Sequence, residues 1–209
     1  MVRHNIWSAA AAVLVLAVVG CGGPGETIKL SASVDTVPAP EKVQNALRVA
    51  VAPFEDVRVD KASIGRYQHY VETRVDTLVP AQGAASEQVT EFVSEYLKRA
   101  GFQVTRVQSG AAAGSADVVL TGQIESYWNE AVGRFFRTEL LSKNRLVIRA
   151  SNSSDSSTVR TSVAGDATTK VFCFCLTDLE KLNSEALGES VRRFLGDMVV
   201  SDRGLKPKR

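Results

Sequence analysis

Residues 117–176 constrain the fold more than any other part of the chain, because they read as one strand after another. In "DVVLTGQIESYW", Val118, Leu120, Gly122, Ile124 and Trp128 share one face, and Asp117, Thr121, Gln123 and Glu125 share the other. "FFRTELLSKNRLVIRA" continues the pattern with Leu146, Ile148 and Ala150 inward, "SNSSDSS" supplies a turn, and "TVRTSVAG" and "TKVFCFCL" run back. A period of two marks a strand with one buried face, and strands joined by short turns pair antiparallel. That face needs a cover, and two amphipathic segments can provide it. The first spans residues 86–100, where Val89, Phe92, Val93, Tyr96, Leu97 and Ala100 follow helical spacing. Ser86 is placed to cap its start, and Gly101 with Phe102 to close its end. The second opens on Thr177-Asp178-Leu179-Glu180, a capping-box pattern, and carries Leu182, Val191, Phe194, Leu195 and Met198. Gly188 is expected to weaken or split it. Each helix has one apolar stripe, so both should lie on the same side. The expectation is an α+β fold: a mostly antiparallel sheet with two amphipathic helices packed on one face.

Upstream, "TIKLSASV" alternates as a strand over residues 27–34, and "DTVPAPEK" breaks it with two prolines. "ALRVAVAPF" is apolar on both faces and reads as a central strand. "EDVRVDKASIGRYQ" reads as a polar loop, "YVETRVDTLV" as a half-exposed strand, and "FQVTRV" as another strand. The organisation predicted is a leader over 1–20, a tether over 21–26, one domain over 27–200 and a basic disordered tail over 201–209. That tail carries Arg203, Lys206, Lys208 and Arg209.

The front of the chain sets the compartment. A basic start is followed by an uncharged apolar run over residues 6–20, roughly 15 residues against the ~20 that span a bilayer. This is the pattern of a secretory signal. Its end, Val18-Val19-Gly20-Cys21, resembles a bacterial lipobox. The resemblance implies that Cys21 is acylated on sulfur and becomes the first residue of the mature protein, which then lies on the bilayer through that lipid. Each buried CH₂ contributes about 0.8 kcal/mol, and stable anchoring takes more than one chain. Gly22, not Asp, follows Cys21, which implies an outer-membrane address facing the periplasm in a two-membrane organism. A leader of 20 removed from 209 residues leaves 189, enough for one sizeable core. The formal net charge of the whole chain is +2, with no strongly basic stretch of the kind nucleic-acid binding requires.

Several segments taken in order resemble the YajG-type family of bacterial lipoproteins. These are the lipobox followed by "ETIKLSASV", a strand ending in acid–x–Arg ("VAVAPFEDVR"), and "SIGRY". Then come "YLKRAGFQV", "SADVVLTGQI" and a closing "FLGDMVVSD". The serine-rich turn and "CFC" depart from the family pattern. The resemblance implies an envelope location and an α+β fold more than an activity.

Candidate chemistry is sparse. Asp56 and Arg58, with Asp60, could form an ion-pair cluster that anchors a loop, or Arg58 could bind a ligand. Tyr127, Trp128, Phe135 and Phe136 gather near an expected turn, as core packing or as a partner-binding patch. Cys173 and Cys175 fall on one side of an expected strand. Neighbours at i and i+2 stand about 6.6–6.8 Å apart, at the far limit for a disulfide. Buried reduced thiols, an internal Cys173–Cys175 bridge, pairing between chains, and redox or metal roles are the readings open to them. Zinc would find only His69 to add to two thiolates after leader removal. His69 is expected on the surface, and no GxSxG turn presents a serine to it. The expectation is therefore a non-enzymatic envelope lipoprotein without cofactor or metal, docking on an envelope protein partner. The alternative is a lipid- or ligand-binding auxiliary of a transport or assembly system.

Overall fold

The computed structural model describes residues 25–43, 46–71, 74–108, 114–201 and 204–208. The leader and Cys21 lie outside the described residues.

The alternating segments become strands β1 (Thr27–Leu30), β2 (Arg48–Val51), β3 (Glu55–Asp56), β4 (Gly65–Gln68), β5 (Val75–Pro80) and β6 (Gln103–Arg106). Three long strands follow, β7 (Val118–Arg134), β8 (Arg137–Asn152) and β9 (Thr158–Val171). A short hairpin of β10 (Met198–Ser201) and β11 (Gly204–Pro207) comes last among the described elements. The two amphipathic segments become α1 (Ala85–Arg99) and α2 (Leu176–Gly196). The fold is α+β.

The sheet is mixed. Antiparallel pairing joins β7 to β8, β8 to β9 and β4 to β5. The pairings β1–β5, β2–β6, β2–β7, β3–β7 and β4–β7 are parallel. Short turns dictate antiparallel order only where strands are consecutive; β5 reaches β6 through α1, a crossover that lets β6 join parallel to β2. Both helices cover one face, touching each other where Gly188 of α2 lies beside Tyr96 of α1. The opposite face carries Lys143, Arg145 and Arg149, all exposed.

A bulge explains the main departure from the expected facing pattern. Ile124 pairs with Leu146 and Ser126 with Arg145, so Glu125 is an extra residue in β7. One inserted residue flips every later side chain. Tyr127, Asn129 and Ala131 point into the core, and Trp128 points away, half-buried. Before the bulge the expected face holds: Val118, Leu120 and Ile124 are fully buried. Gly122 makes room on that face, since a Cβ there would stand 2.2 Å from the Phe54 ring.

α1 begins one residue earlier than expected. Ala84 precedes it, and the Glu87 carboxylate accepts from the Ala84 N–H at 3.3 Å, so Ser86 sits inside the first turn. Its end is as expected, with Gly101 at φ +98° and Phe102 buried. α2 begins at Leu176, with Cys175 in extended backbone before it, so Thr177 lies inside the helix and is not its cap. Gly188 does not split α2; it lets the 3₁₀ segment Val34–Thr36 and its neighbour Val37 approach, with a Cβ position 3.3 Å from Val37 Cγ1. The strand expected from Tyr70 starts only at Val75, as β5; Glu72 and Thr73 of that expectation lie outside the described residues, and part of the expected polar loop forms β3 and β4. Residues 204–207, expected as disordered tail, form β11. Asn152 holds that hairpin, donating to Leu205 O and accepting from Leu205 N, both at 2.9 Å.

The core lies between sheet and helices, and a polar seam runs through it. Asn129, Ser142, Asn144, Asn183 and Ser190 are all buried. The Ser190 hydroxyl donates to Asn144 Oδ1 at 2.5 Å, and Asn183 donates to Ser31 O at 2.9 Å.

Strand direction gives the domain two ends. β4, β7 and β9 run toward one end, where the β4–β5 and β7–β8 turns lie. β1 starts there too, because it is parallel to β5. The first described residues therefore enter at this end, Gly25 packing on Val75. α2 starts at the same end and runs 21 residues, about 30 Å, to the β10–β11 hairpin at the other.

Candidate functional site

A concavity lies at that second end. It is a groove of about 650 Å³ between the segment 37–43, Tyr96, the C-terminal half of α2 and β10, a size within the ordinary range for binding sites. Local sequence explains the wall formed by 37–43. The Ser33 hydroxyl accepts from Asp35 N at 3.2 Å and starts the 3₁₀ turn. Arg99 donates to Val34 O, and Val43 N donates to Ala100 O at 2.9 Å, fastening the wall at both ends. Between these ties stand Pro38 and Pro40, each with φ fixed by its ring.

The floor is apolar: Val37, Val43, Leu195, Met198 and Val200, with Gly188 leaving it open. The rim carries both signs, with Glu41, Glu185 and Glu189 against Lys42, Arg192 and Lys208. Glu189 is held by both neighbouring arginines of α2. It accepts two bonds from Arg192 at 2.8 Å and one from Arg193 at 2.7 Å. Burial pushes its carboxyl up, but the two guanidiniums outweigh that and hold it below its usual value. Burial also pushes the Tyr96 phenol above its ordinary value, with Glu189 adding and Arg192 and Arg99 opposing. An apolar floor beneath a mixed-charge rim suits an amphipathic occupant, whose apolar side fills the groove while its polar side meets the rim.

The residues singled out in the sequence stand elsewhere. Arg58 turns inward and grips Asp56 with two bonds, Nε to Oδ1 at 2.9 Å and Nη2 to Oδ2 at 2.8 Å. Its Nη1 donates to Ser63 O at 2.7 Å and Tyr127 O at 3.3 Å. Burial raises the Asp56 carboxyl, yet Arg58 more than compensates and leaves it below its ordinary value. The pair is a loop anchor. Asp60 closes the same loop, accepting from Ala62 N at 2.9 Å.

Tyr127 is fully buried and its hydroxyl accepts from Gln88 Nε2 at 2.8 Å. Burial pushes its phenol up to about 12. Neither Tyr127 nor Trp128 lines the groove.

His69, expected on the surface, is mostly buried and bonds Asp76 Oδ2 through Nε2 at 2.7 Å. Asp76 also accepts from Glu26 N at 2.8 Å and pairs with Arg74 at 3.3 Å. Burial raises the Asp76 carboxyl, but the His69 and Glu26 hydrogen bonds and the Arg74 charge bring it below its usual value. This cluster clamps the start of β1 to β5.

Cys173 and Cys175 are free and exposed, not buried, because β9 stops at Val171 and both thiols fall in the connection to α2. Among the described residues no three His, Cys, Asp or Glu side chains gather closely enough to hold a metal ion. No helix among them is long and apolar enough to cross a membrane.

The groove was not legible in the sequence. Its walls come from segments far apart in the chain, and its local signal, the two prolines of "DTVPAPEK", read only as a strand break.

No protein-family model and no curated protein matches the chain. Among solved structures it is similar to a Xanthomonas campestris protein of family DUF330, at 13% identity and TM-score 0.48, covering 82% of this chain and 91% of the other. It is similar to the PelC dodecamer subunit of Paraburkholderia phytofirmans, at 15% identity and TM-score 0.39, over 73% and 94% of the two chains. A third is a lipoprotein from Neisseria meningitidis, at 11% identity and TM-score 0.35, over 59% and 84%.

Proposed function

We propose that this chain is a bacterial envelope lipoprotein of the YajG type, held on the outer membrane by acylated Cys21 and facing the periplasm. In this reading it is non-enzymatic and docks a segment of an envelope protein in the groove between residues 37–43 and α2. The observation that carries it is the placement of the groove. The chain enters the domain at one end, beside Val75, and the groove opens at the other, beyond the full length of α2. A lipid on Cys21 would therefore leave the groove facing away from the bilayer. The test is a photo-crosslinking residue in place of Lys42, on the exposed rim, in the native lipidated protein in cells. Adducts to discrete envelope proteins, identified by mass spectrometry and lost when the crosslinker is moved to Arg149 on the open sheet face, are expected. Equal adducts from both positions, or none from Lys42, overturn the reading.

The groove's volume and apolar floor also favour a second reading, an auxiliary that carries a lipid or another small amphipathic ligand. Native mass spectrometry of the purified protein distinguishes the two: a stoichiometric small-molecule adduct, released when Gly188 is enlarged to Leu, supports the carrier.

A further inference from the structure

The end of the domain where the chain enters carries an unusual surface. Of nine large apolar side chains exposed among the described residues, six lie there: Tyr70, Val71, Val75, Phe135, Phe136 and Phe172. All but Val75 are between 56 and 86% exposed. They come from three separate places in the chain, the β4–β5 turn, the β7–β8 turn and the exit of β9, and the sheet brings them to one edge. Phe135 stands 4.0 Å from Phe136 and 6.1 Å from Tyr70, ring centre to ring centre. Phe172 leaves β9 one residue past the pairing of Val171 with Thr138, at the level of the β7–β8 turn. Exposed aromatic clusters of this kind mark a binding surface. Tyr70 adds a ring with an apolar body and a polar tip, a form favoured where membrane meets water.

We infer that this aromatic edge is a bilayer-contact surface that inserts into the lipid interface beside the acyl anchor. The inference rests on the proposed acylation of Cys21. Gly25 packs on the backbone of Val75, at the same edge as the aromatic side chains. Four residue steps separate it from Cys21, and such a chain spans at most about 14 Å when fully extended. A lipid-bearing Cys21 therefore holds this edge at the membrane surface; the tether is too short for the domain to stand clear. Charge agrees. Arg134 and Arg137 pair with Glu139, and Lys170 stands opposite Glu139 in the β8–β9 ladder, so the β7–β9 side of the edge, away from the Arg74–Glu26–Asp76 cluster, carries a cationic surplus that suits anionic headgroups. Side chains at such an edge enter about 5–10 Å into the headgroup and acyl boundary. The consequence is orientation: one lipid tether alone lets the domain swivel, whereas tether and edge together stand it upright with the groove outward.

The test uses the full lipidated protein in phosphatidylethanolamine–phosphatidylglycerol vesicles that contain lipid brominated near the glycerol end of its acyl chains. Phe136→Trp and, independently, Phe172→Trp place a reporter on the edge. Val199→Trp places one at the groove end, and the parent protein gives the baseline from Trp128. The proposal expects the emission added by either edge tryptophan to be mostly lost in brominated vesicles, and that of Val199→Trp to be unchanged. Flotation with the vesicles and an acylated mass, without quenching at the edge, overturn the bilayer contact while leaving the anchor in place. Edge tryptophans that are shielded but insensitive to bromine show a second copy or a protein covering the edge, and overturn it equally. Protein that neither floats nor carries an acylated mass overturns anchor and contact together.

Discussion

The seating of α2 on the sheet is open to a direct test, because a single missing side chain makes it possible. Gly165 of β9 is buried opposite Asn144, beneath the helix. A Cβ there would lie 1.9 Å from Ala186 O and 2.7 Å from Ser190 Oγ. Carbon contacts settle at about 3.5–4.0 Å, so Gly165→Ala requires α2 to lift by roughly 1.5 Å. Leu179, Leu182, Leu187, Val191 and Phe194 are all at most 4% exposed, and they would lose packing together. Overpacking ordinarily costs about 1–3 kcal/mol. A collision with backbone leaves no flexible side chain to yield, so about 3 kcal/mol is expected. In a domain of this size that lowers Tm by roughly 6–12 °C. Gly196→Ala is the matched control: its Cβ meets nothing within 4 Å, and alanine gains up to about 1 kcal/mol in a helix. Thermal unfolding followed by circular dichroism reads both. Gly165→Ala at or above the parent Tm, or level with Gly196→Ala, would show that α2 does not rest on Gly165.

Other outcomes follow from individual contacts. Tyr127→Phe leaves the buried Gln88 amide without its acceptor and is expected to cost about 1–3 kcal/mol, read from the urea midpoint. Asp76 is held below its ordinary value in the fold, so its contribution is present above about pH 4 and lost as the pH falls through the folded-state value. Asp76→Asn should flatten that acid loss in urea midpoints taken across the range; an unchanged slope would contradict it. Arg58→Ala strands Asp56 against the protein interior and is expected to cost about 3–5 kcal/mol, with Arg58→Lys recovering only part, as one ammonium cannot reproduce the paired bonds. Both Cys173 and Cys175 should react with a maleimide in the native protein; protection of either would contradict their exposure.

Where local chemistry decides structure, the sequence was readable. The stripe from Val89 to Ala100 and its Gly101–Phe102 ending specify α1 nearly to the residue, because helix spacing and a positive-φ stop are both local. The strand alternation of β7 could be followed only as far as Ile124. The bulge at Glu125 has no marking residue, and it exchanges Tyr127 for Trp128 on the core side. The late start of β5 has no marker either: Tyr70 and Val71 stand outside the strand, yet no Gly, Asn or Pro separates them from Val75. His69 read as a surface residue because Asp76, Arg74 and Glu26 come to it only once β1, β4 and β5 are side by side. The groove and the aromatic edge are products of assembly. Val37 meets Gly188, and Tyr70 meets Phe135, across separations that no periodicity encodes.

Both the outward-facing groove and the membrane-facing edge take their meaning from an anchor at Cys21. Intact-mass analysis of the protein extracted from its native membranes tests it most directly. The expected product is a chain that begins at Cys21 and carries the added mass of more than one acyl chain. A chain with an unmodified Cys21, or one that retains residues 1–20, would contradict it.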